Sequence, residues 1–317
     1  MIDIDDGPLS KIRSSQNARM YSPDNFLCSN SAGTNNLYAT TKLQQDDLIA
    51  CIMDNARKQT EECESMQAFQ FYHSLAGGVG SGLENAVQLK LREEYPDKIF
   101  ANHVVCPSKD IPSNTVEVYN AVLGFQNLIE NCDLNFMYDN KSLYEICKSS
   151  ASYSIIRPSF YDINQILSQQ IVNLTASFRF PGTLNSTYQK MATNLVPFPR
   201  IHNMTITHSN LRKKSLVKPE YFNMSSAEVL NALFNDSNNL MSVSNLRQKI
   251  FGYNLMLRGN FDGFGVHDRL QVMKEDKKGQ YYQWINGHAQ VGFCDVPPVG
   301  CKRSATAVIN STNLVPF

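Results

Sequence analysis

Phe71-Tyr-His-Ser-Leu-Ala-Gly-Gly-Val-Gly-Ser-Gly-Leu83 sets four glycines and two serines between an apolar run and an amphipathic one. Upstream, Ala68-Phe-Gln-Phe-Tyr72 reads as a short buried strand. Downstream, Leu83, Ala86, Val87 and Leu91 mark one face of a helix stopped by Pro96. Strand, glycine turn and helix in that order suit an anion. Glycines let the backbone approach closely, N–H groups point inward, and the helix N-terminus adds positive partial charge. The turn is not a Walker loop, because no Lys-Ser/Thr follows Gly82, and it lacks the Gly-x-Gly-x-x-Gly of a dinucleotide fold. Taken alone, it reads more readily as a structural turn than as a phosphate loop.

On either side the pattern is α/β. Leu48, Ile49, Ile52, Met53 and Ala56 recur at helical spacing between Asp46 and Cys63. Residues 99–105 read as a second strand, 107–115 as a loop opening a helix that runs to Asn131, and 135–138 as a third strand closed by Asp139-Asn140 and a short helix to Cys147. This alternation predicts a mainly parallel, Rossmann-like sheet with helices on its faces. A long core helix over 159–178 follows, so the first domain spans 1–178. A second, mixed α/β domain spans 179–317, with strands at 201–207, 253–258, 281–284, 290–294 and 305–308 and an amphipathic helix at 227–234. Residues 1–37 are polar and Ser/Asn-rich, and are expected to be irregular.

Composition narrows the partners. Lys+Arg and Asp+Glu are both 29, so there is neither a basic excess for nucleic acid nor an acidic tail. The basic cluster at Arg212-Lys213-Lys214 reads as a solvated loop. No apolar run approaches the roughly 20 residues a membrane span needs, so neither a nucleic-acid nor a membrane partner is expected. The eight cysteines form no Cys-x-x-Cys and no zinc spacing, which suits a reducing compartment, and the acidic start Met1-Ile-Asp-Ile-Asp-Asp6 lacks a signal-peptide layout. Cytoplasm is the expected location, and the sequons at Asn185 and Asn203 are expected to be idle. A nicotinamide oxidoreductase is disfavoured by the missing glycine pattern and the lack of a paired catalytic set. A hydrolase built on His73-Ser74 is disfavoured because neighbouring strand residues point to opposite faces.

The string His73-Ser-Leu-Ala-Gly-Gly-Val-Gly-Ser-Gly82 resembles the Gly-Gly-Gly-Thr-Gly-Ser-Gly signature of the tubulin family. The same order continues in Arg92-Glu-Glu-Tyr-Pro-Asp97, Thr115-Val-Glu-Val-Tyr-Asn120, Asp139-Asn-Lys-Ser-Leu-Tyr-Glu-Ile-Cys147, Phe178-Arg-Phe-Pro-Gly-Thr-Leu-Asn185, Asn194-Leu-Val-Pro-Phe-Pro-Arg-Ile-His202 and Cys294-Asp-Val-Pro-Pro-Val-Gly300. It spans essentially the whole chain, and Ser22-Pro-Asp-Asn-Phe26 looks most like the beta class. The resemblance implies a GTPase-type nucleotide domain joined by the core helix to an intermediate domain, a GTP or GDP site with magnesium, and a cytoskeletal setting among other tubulin subunits, alpha-type above all.

Carried over residue by residue, Ser74, Gly77, Gly78 and Gly80 match positions facing the phosphates, and Val79 replaces the family's Thr, removing a hydroxyl near the terminal phosphate. Gly33, Thr34 and Asn35 match another phosphate loop. Glu117 matches the acid that accepts from the ribose hydroxyls, Asn140 and Asn164 match the amides that read the guanine edge, and Phe160 stands at the aromatic that stacks on the base.

Against that family, Met1 aligns after the first strand with its diphosphate loop and after the magnesium-side loop. The chain stops at Phe317, before the two C-terminal helices and acidic tail. The expectation is an incomplete gene product, or one whose core and aggregation-prone sheet edge another chain completes, with magnesium held weakly. Hydrolysis in the family depends on an acid presented by the next subunit. Here Thr187 takes the place of the family's Asp, and Lys190 stands where alpha tubulins carry the activating Glu and beta tubulins carry Lys. The chain is therefore expected to be a non-activating, beta-type partner. No catalytic residue and no metal ligand is assigned to it. The 185–190 loop and the 211–222 loop, basic through Lys213, Lys214 and Lys218, are the expected contact regions.

Overall fold

The computed structural model describes residues 1–29, 36–108, 114–149, 155–182, 187–209, 224–242, 249–276, 289–299 and 301–312. Two compact units, Met1–Asp133 and Leu134–Phe317, divide the chain.

The first unit opens with β1 (Ile2–Asp3), α1 (Asp6–Arg13) and β2 (Leu27–Cys28), where β1 and β2 pair in parallel. This departs from the irregular start expected. Asp5 caps α1 by accepting from the Gly7 amide at 3.2 Å, and Asp6 pairs with Arg13 at 3.0 Å. Leu9 is the helix's one buried side chain, so hydrophobic periodicity could not reveal it.

Beyond lie α2 (Tyr38–Leu43), α3 (Asp46–Glu61), β3 (Ala68–Ser74), α4 (Glu84–Glu94), β4 (Ile99–Cys106) and α5 (Val116–Asn131). Strand β3 pairs in parallel with β4 from Ala68↔Ile99 to Ser74↔Val105, and the Leu75 amide donates to the Val105 carbonyl before the chain turns away. The predicted amphipathic faces supply the core. Leu48, Ile49, Ile52 and Met53 of α3 meet Leu83, Val87 and Leu91, with Phe100 of β4 and Ile4 closing the cluster. Each such burial contributes about 1.5–3 kcal/mol.

The second unit holds β5 (Leu134–Asp139), α6 (Asn140–Ser149), α7 (Phe160–Leu174), α8 (Ala176–Arg179), α9 (Tyr188–Leu195), β6 (Asn203–His208), α10 (Ser226–Ala232), β7 (Ile250–Gly259), α11 (Gly263–Asp276), β8 (Ala289–Cys294) and β9 (Arg303–Ser311). Parallel pairs β5–β6 and β7–β8 are joined through β9, which runs antiparallel to both β6 and β7. The α/β architecture with largely parallel pairing is therefore as expected, with β9 as the antiparallel member.

The core helix is shorter than the predicted 159–178. It ends at Leu174 and restarts as α8 at Ala176, and at the joint the Thr175 hydroxyl donates to the Ile171 carbonyl beside its own amide, a back-bond of the kind that bends helices. Helices α9 and α11 were not anticipated as full elements. The predicted strand over 281–284 lies outside the described residues.

Candidate functional site

The glycine turn leaves β3 at Ser74 and enters a helix at Gly78, whose φ of −61° is already helical. Val79–Leu83 forms one wide turn of π geometry, in which the Glu84 amide donates to the Val79 carbonyl. Such single π turns recur at functional sites. Glycine is required where the backbone is crowded. A Cβ on Gly80 would lie 2.2 Å from the Ser74 carbonyl oxygen, and one on Gly82 would lie 2.1 Å from Thr41 Oγ1.

Side chains that sequence reasoning passed over hold this turn. Asn120, on α5, donates to the carbonyls of Asn36 (2.8 Å) and Ala76 (3.1 Å) and accepts from the Tyr38 amide (3.0 Å). Asn36 in turn accepts from the Gly78 amide through Oδ1 at 2.8 Å, from a backbone with φ of +60°. That left-handed conformation suits Asn better than most residues. Thr41 donates to the Gly78 carbonyl at 2.7 Å, and Asn85 donates to the Tyr38 hydroxyl. Two signals were available: Asn36 directly follows the predicted Gly33-Thr34-Asn35 loop, and Asn120 lies one helical turn beyond Glu117.

The predicted residues divide as follows. Ser74, Gly77, Gly78, Val79 and Gly80 form the turn. The Ser74 hydroxyl accepts from the Ala76 amide at 3.3 Å and donates to the Val105 carbonyl at 3.4 Å, so it braces the turn from within. Val79 packs its side chain against the α3–α4 cluster. Glu117 sits in the first turn of α5, on the face that carries Asn120, and is half-buried. Asn140, Phe160 and Asn164 belong to the second unit. Asn140 opens α6, which packs against α7, and Phe160 and Asn164 share an exposed face of α7 one turn apart. A capping box fixes that helix start: the Ser159 amide donates to Asp162 at 3.0 Å, and the Asp162 amide donates back to Ser159 Oγ at 3.4 Å. Gly33, Thr34 and Asn35 lie outside the described residues, as does the 211–222 loop.

The turn's fit to a phosphate-bearing ligand can be read from its donors. Its first amides stand at a helix N-terminus, where they lack intrahelical acceptors. A Cβ on Gly77 would meet only Asn36 Oδ1, at 3.4 Å, among the described residues. Three amides of the turn are already engaged: Gly78 by Asn36, Ala76 by the Ser74 hydroxyl and Ser81 by the Gly77 carbonyl. At the other expected functional position, Thr187 caps α9 by accepting from the Lys190 amide at 3.2 Å, and Lys190 is exposed.

Comparison with known proteins agrees with this geometry. Residues 1–148 match the model of the Tubulin/FtsZ family, GTPase domain, and residues 199–316 match that of the Tubulin C-terminal domain. A GTPase-type α/β domain followed by a tubulin C-terminal domain defines the class, and the chain belongs to the tubulin family. It is a beta-like member. The chain is 35% identical to the tubulin beta chain of Aspergillus fumigatus over 99% of its own length and 69% of that relative's. It is 34% identical to the nucleomorph beta chain of Guillardia theta, over 99% and 70%, and to the beta-6 chain of Gallus gallus, over 98% and 69%. A tubulin-like cytoskeletal role follows from that membership. No helix among the described residues is long and apolar enough to cross a membrane.

Proposed function

We propose that the chain binds guanine nucleotide, GTP or GDP with magnesium, and associates with alpha-type tubulin subunits in microtubules or related cytoplasmic polymers. The observation that carries this reading is the glycine turn itself. It presents a helix N-terminus beyond a parallel strand, braced by Ser74 and Asn120, with Glu117 on the adjoining helix face. In the proposed complex, Ser74, Gly77, Gly78, Val79 and Gly80 take the phosphates together with Gly33, Thr34 and Asn35. Glu117 accepts from the ribose, Asn140 and Asn164 read guanine, and Phe160 stacks on it. The proposed domains run 1–178, through the core helix, and 179–317. Hydrolysis in this reading needs a partner's carboxylate, and the chain, with Thr187 and Lys190 at its own presenting surface, supplies none to a neighbour.

Two observations favour a second reading, a tubulin-fold interaction module without nucleotide. Asn36 already fills the Gly78 amide, and Val79 brings an apolar side chain where the family resemblance implies a hydroxyl. Thermal denaturation separates the two. GTP, and not ATP, is expected to raise the melting temperature in a concentration-dependent way. No shift at millimolar GTP, with co-pelleting alongside microtubules retained, would select the second reading.

A further inference from the structure

Behind the glycine turn sits a pair of ionisable groups that the phosphate reading does not use. His73 is the penultimate residue of β3, and Glu84 is the first residue of α4, so the pair joins the strand that enters the turn to the helix that leaves it. His73 Nε2 lies 4.0 Å from Glu84 Oε1, with both side chains more than nine-tenths buried. The Gly80 backbone approaches His73 and the Asn127 amide approaches Glu84, but neither reaches hydrogen-bond geometry, and His73 Nε2 and Glu84 Oε1 are the two polar atoms of the pair that lie nearest each other.

Among the described residues, the groups around the pair offer no compensating charge. From β4 comes His103, stacked on Tyr72 at 4.7 Å between ring centres. From the end of α5 comes the Cys132 thiol, which accepts from Asn102 and Gln88. Helix α3 packs its apolar Leu48, Ile49, Ile52 and Met53 with Leu83 and Val87, on either side of Glu84 in the chain. We infer that Glu84 and His73 form a proton-holding clasp at the base of the glycine turn, and that the clasp makes the turn's affinity for phosphate depend on pH. This rests on reading the turn as a phosphate site.

In the closed clasp, Glu84 carries a proton directed toward a neutral His73. Burial supports that state, pushing Glu84 up to about 8 and His73 down to about 4. As pH rises through the Glu84 value, the carboxyl releases its proton to solvent. A bare negative charge is then left beneath a turn whose amides would otherwise favour an anion. By linkage, a bound phosphate must in turn make Glu84 harder to ionise.

The test is the affinity of the full chain for GTP, titrated from about pH 7 to about pH 9 in wild type and in Glu84→Gln. Wild-type binding is expected to weaken about fivefold or more across that interval, within the usual range of coupling between sites. The Gln variant should show one affinity throughout. Parallel profiles, or a flat wild-type profile, overturn the inference. Heat denaturation without nucleotide, from about pH 5 to about pH 8, keeps the clasp separate from the nucleotide reading. The melting temperature of Glu84→Gln should gain on wild type as pH rises, because only wild type must hold the carboxyl protonated. A constant difference would sink the clasp. If wild type binds no guanine nucleotide at pH 7, the phosphate reading and its pH control both fall, and the stability profile alone decides whether the clasp exists.

Discussion

At the scale of single residues, the asparagines carry more of the site than the glycines that advertise it. Asn120 satisfies two carbonyls and one amide from two separate segments, 36–38 and the glycine turn, so its amide group does the work of a local cross-link. Asn120→Ala should cost about 2–3 kcal/mol, since it strands buried backbone groups, and should weaken GTP binding more than its stability loss explains. Chemical denaturation alongside a GTP titration checks this; unchanged values in both would remove Asn120 from the site. Such a residue is hard to find from sequence. Asn120 stands inside a helix that is otherwise read by its apolar face, and its partners are distant in the chain. Glu84 was hidden in the same way, as one polar position at the start of an amphipathic helix, where a charged residue is ordinarily solvated.

At the scale of elements, the strand–turn–helix unit was readable because each part has its own local signal. The turn's inner geometry was not, because crowding around a glycine depends on what packs against it. Two substitutions separate the roles. Gly80→Ala drives a Cβ into the Ser74 carbonyl and is expected to destabilise the first unit by about 3 kcal/mol, at the upper end of overpacking costs. Gly77→Ala meets only Asn36 Oδ1, at 3.4 Å among the described residues, and should fold normally while losing GTP affinity. Circular-dichroism melts and nucleotide titration of both variants test the distinction; equal stability losses would refute it. The break in the core helix at Thr175 belongs to this scale too. Periodicity continued across it, and the back-bond of the Thr175 hydroxyl to the Ile171 carbonyl at that joint leaves no mark in an apolar pattern.

At the scale of the whole molecule, both units bury neutral histidines. In the first, burial holds His73 at about 4 and His103 at about 3. In the second, it holds His208 at about 3, with its ring contacting Asn173 at 3.2 Å and Thr306 at 2.8 Å. A depressed histidine contributes stability that is fully present above its unfolded value of about 6.5 and is lost as pH falls through the folded value. The melting temperature should therefore drop between about pH 6.5 and pH 4, the three histidines outweighing the single Glu84, whose contribution runs the other way and is lost as pH rises from about 4.5 to about 8. His208→Gln should lessen the acid loss; a melting temperature independent of pH over that interval would contradict neutral burial. What the sequence determined by itself was the family, the α/β order of elements and the place of the glycine turn, because these rest on local patterns and collinear strings. The tertiary structure decided what holds the turn, where β9 runs antiparallel and which ionisable groups lie buried. Those depend on contacts between segments tens of residues apart, which a linear pattern does not carry.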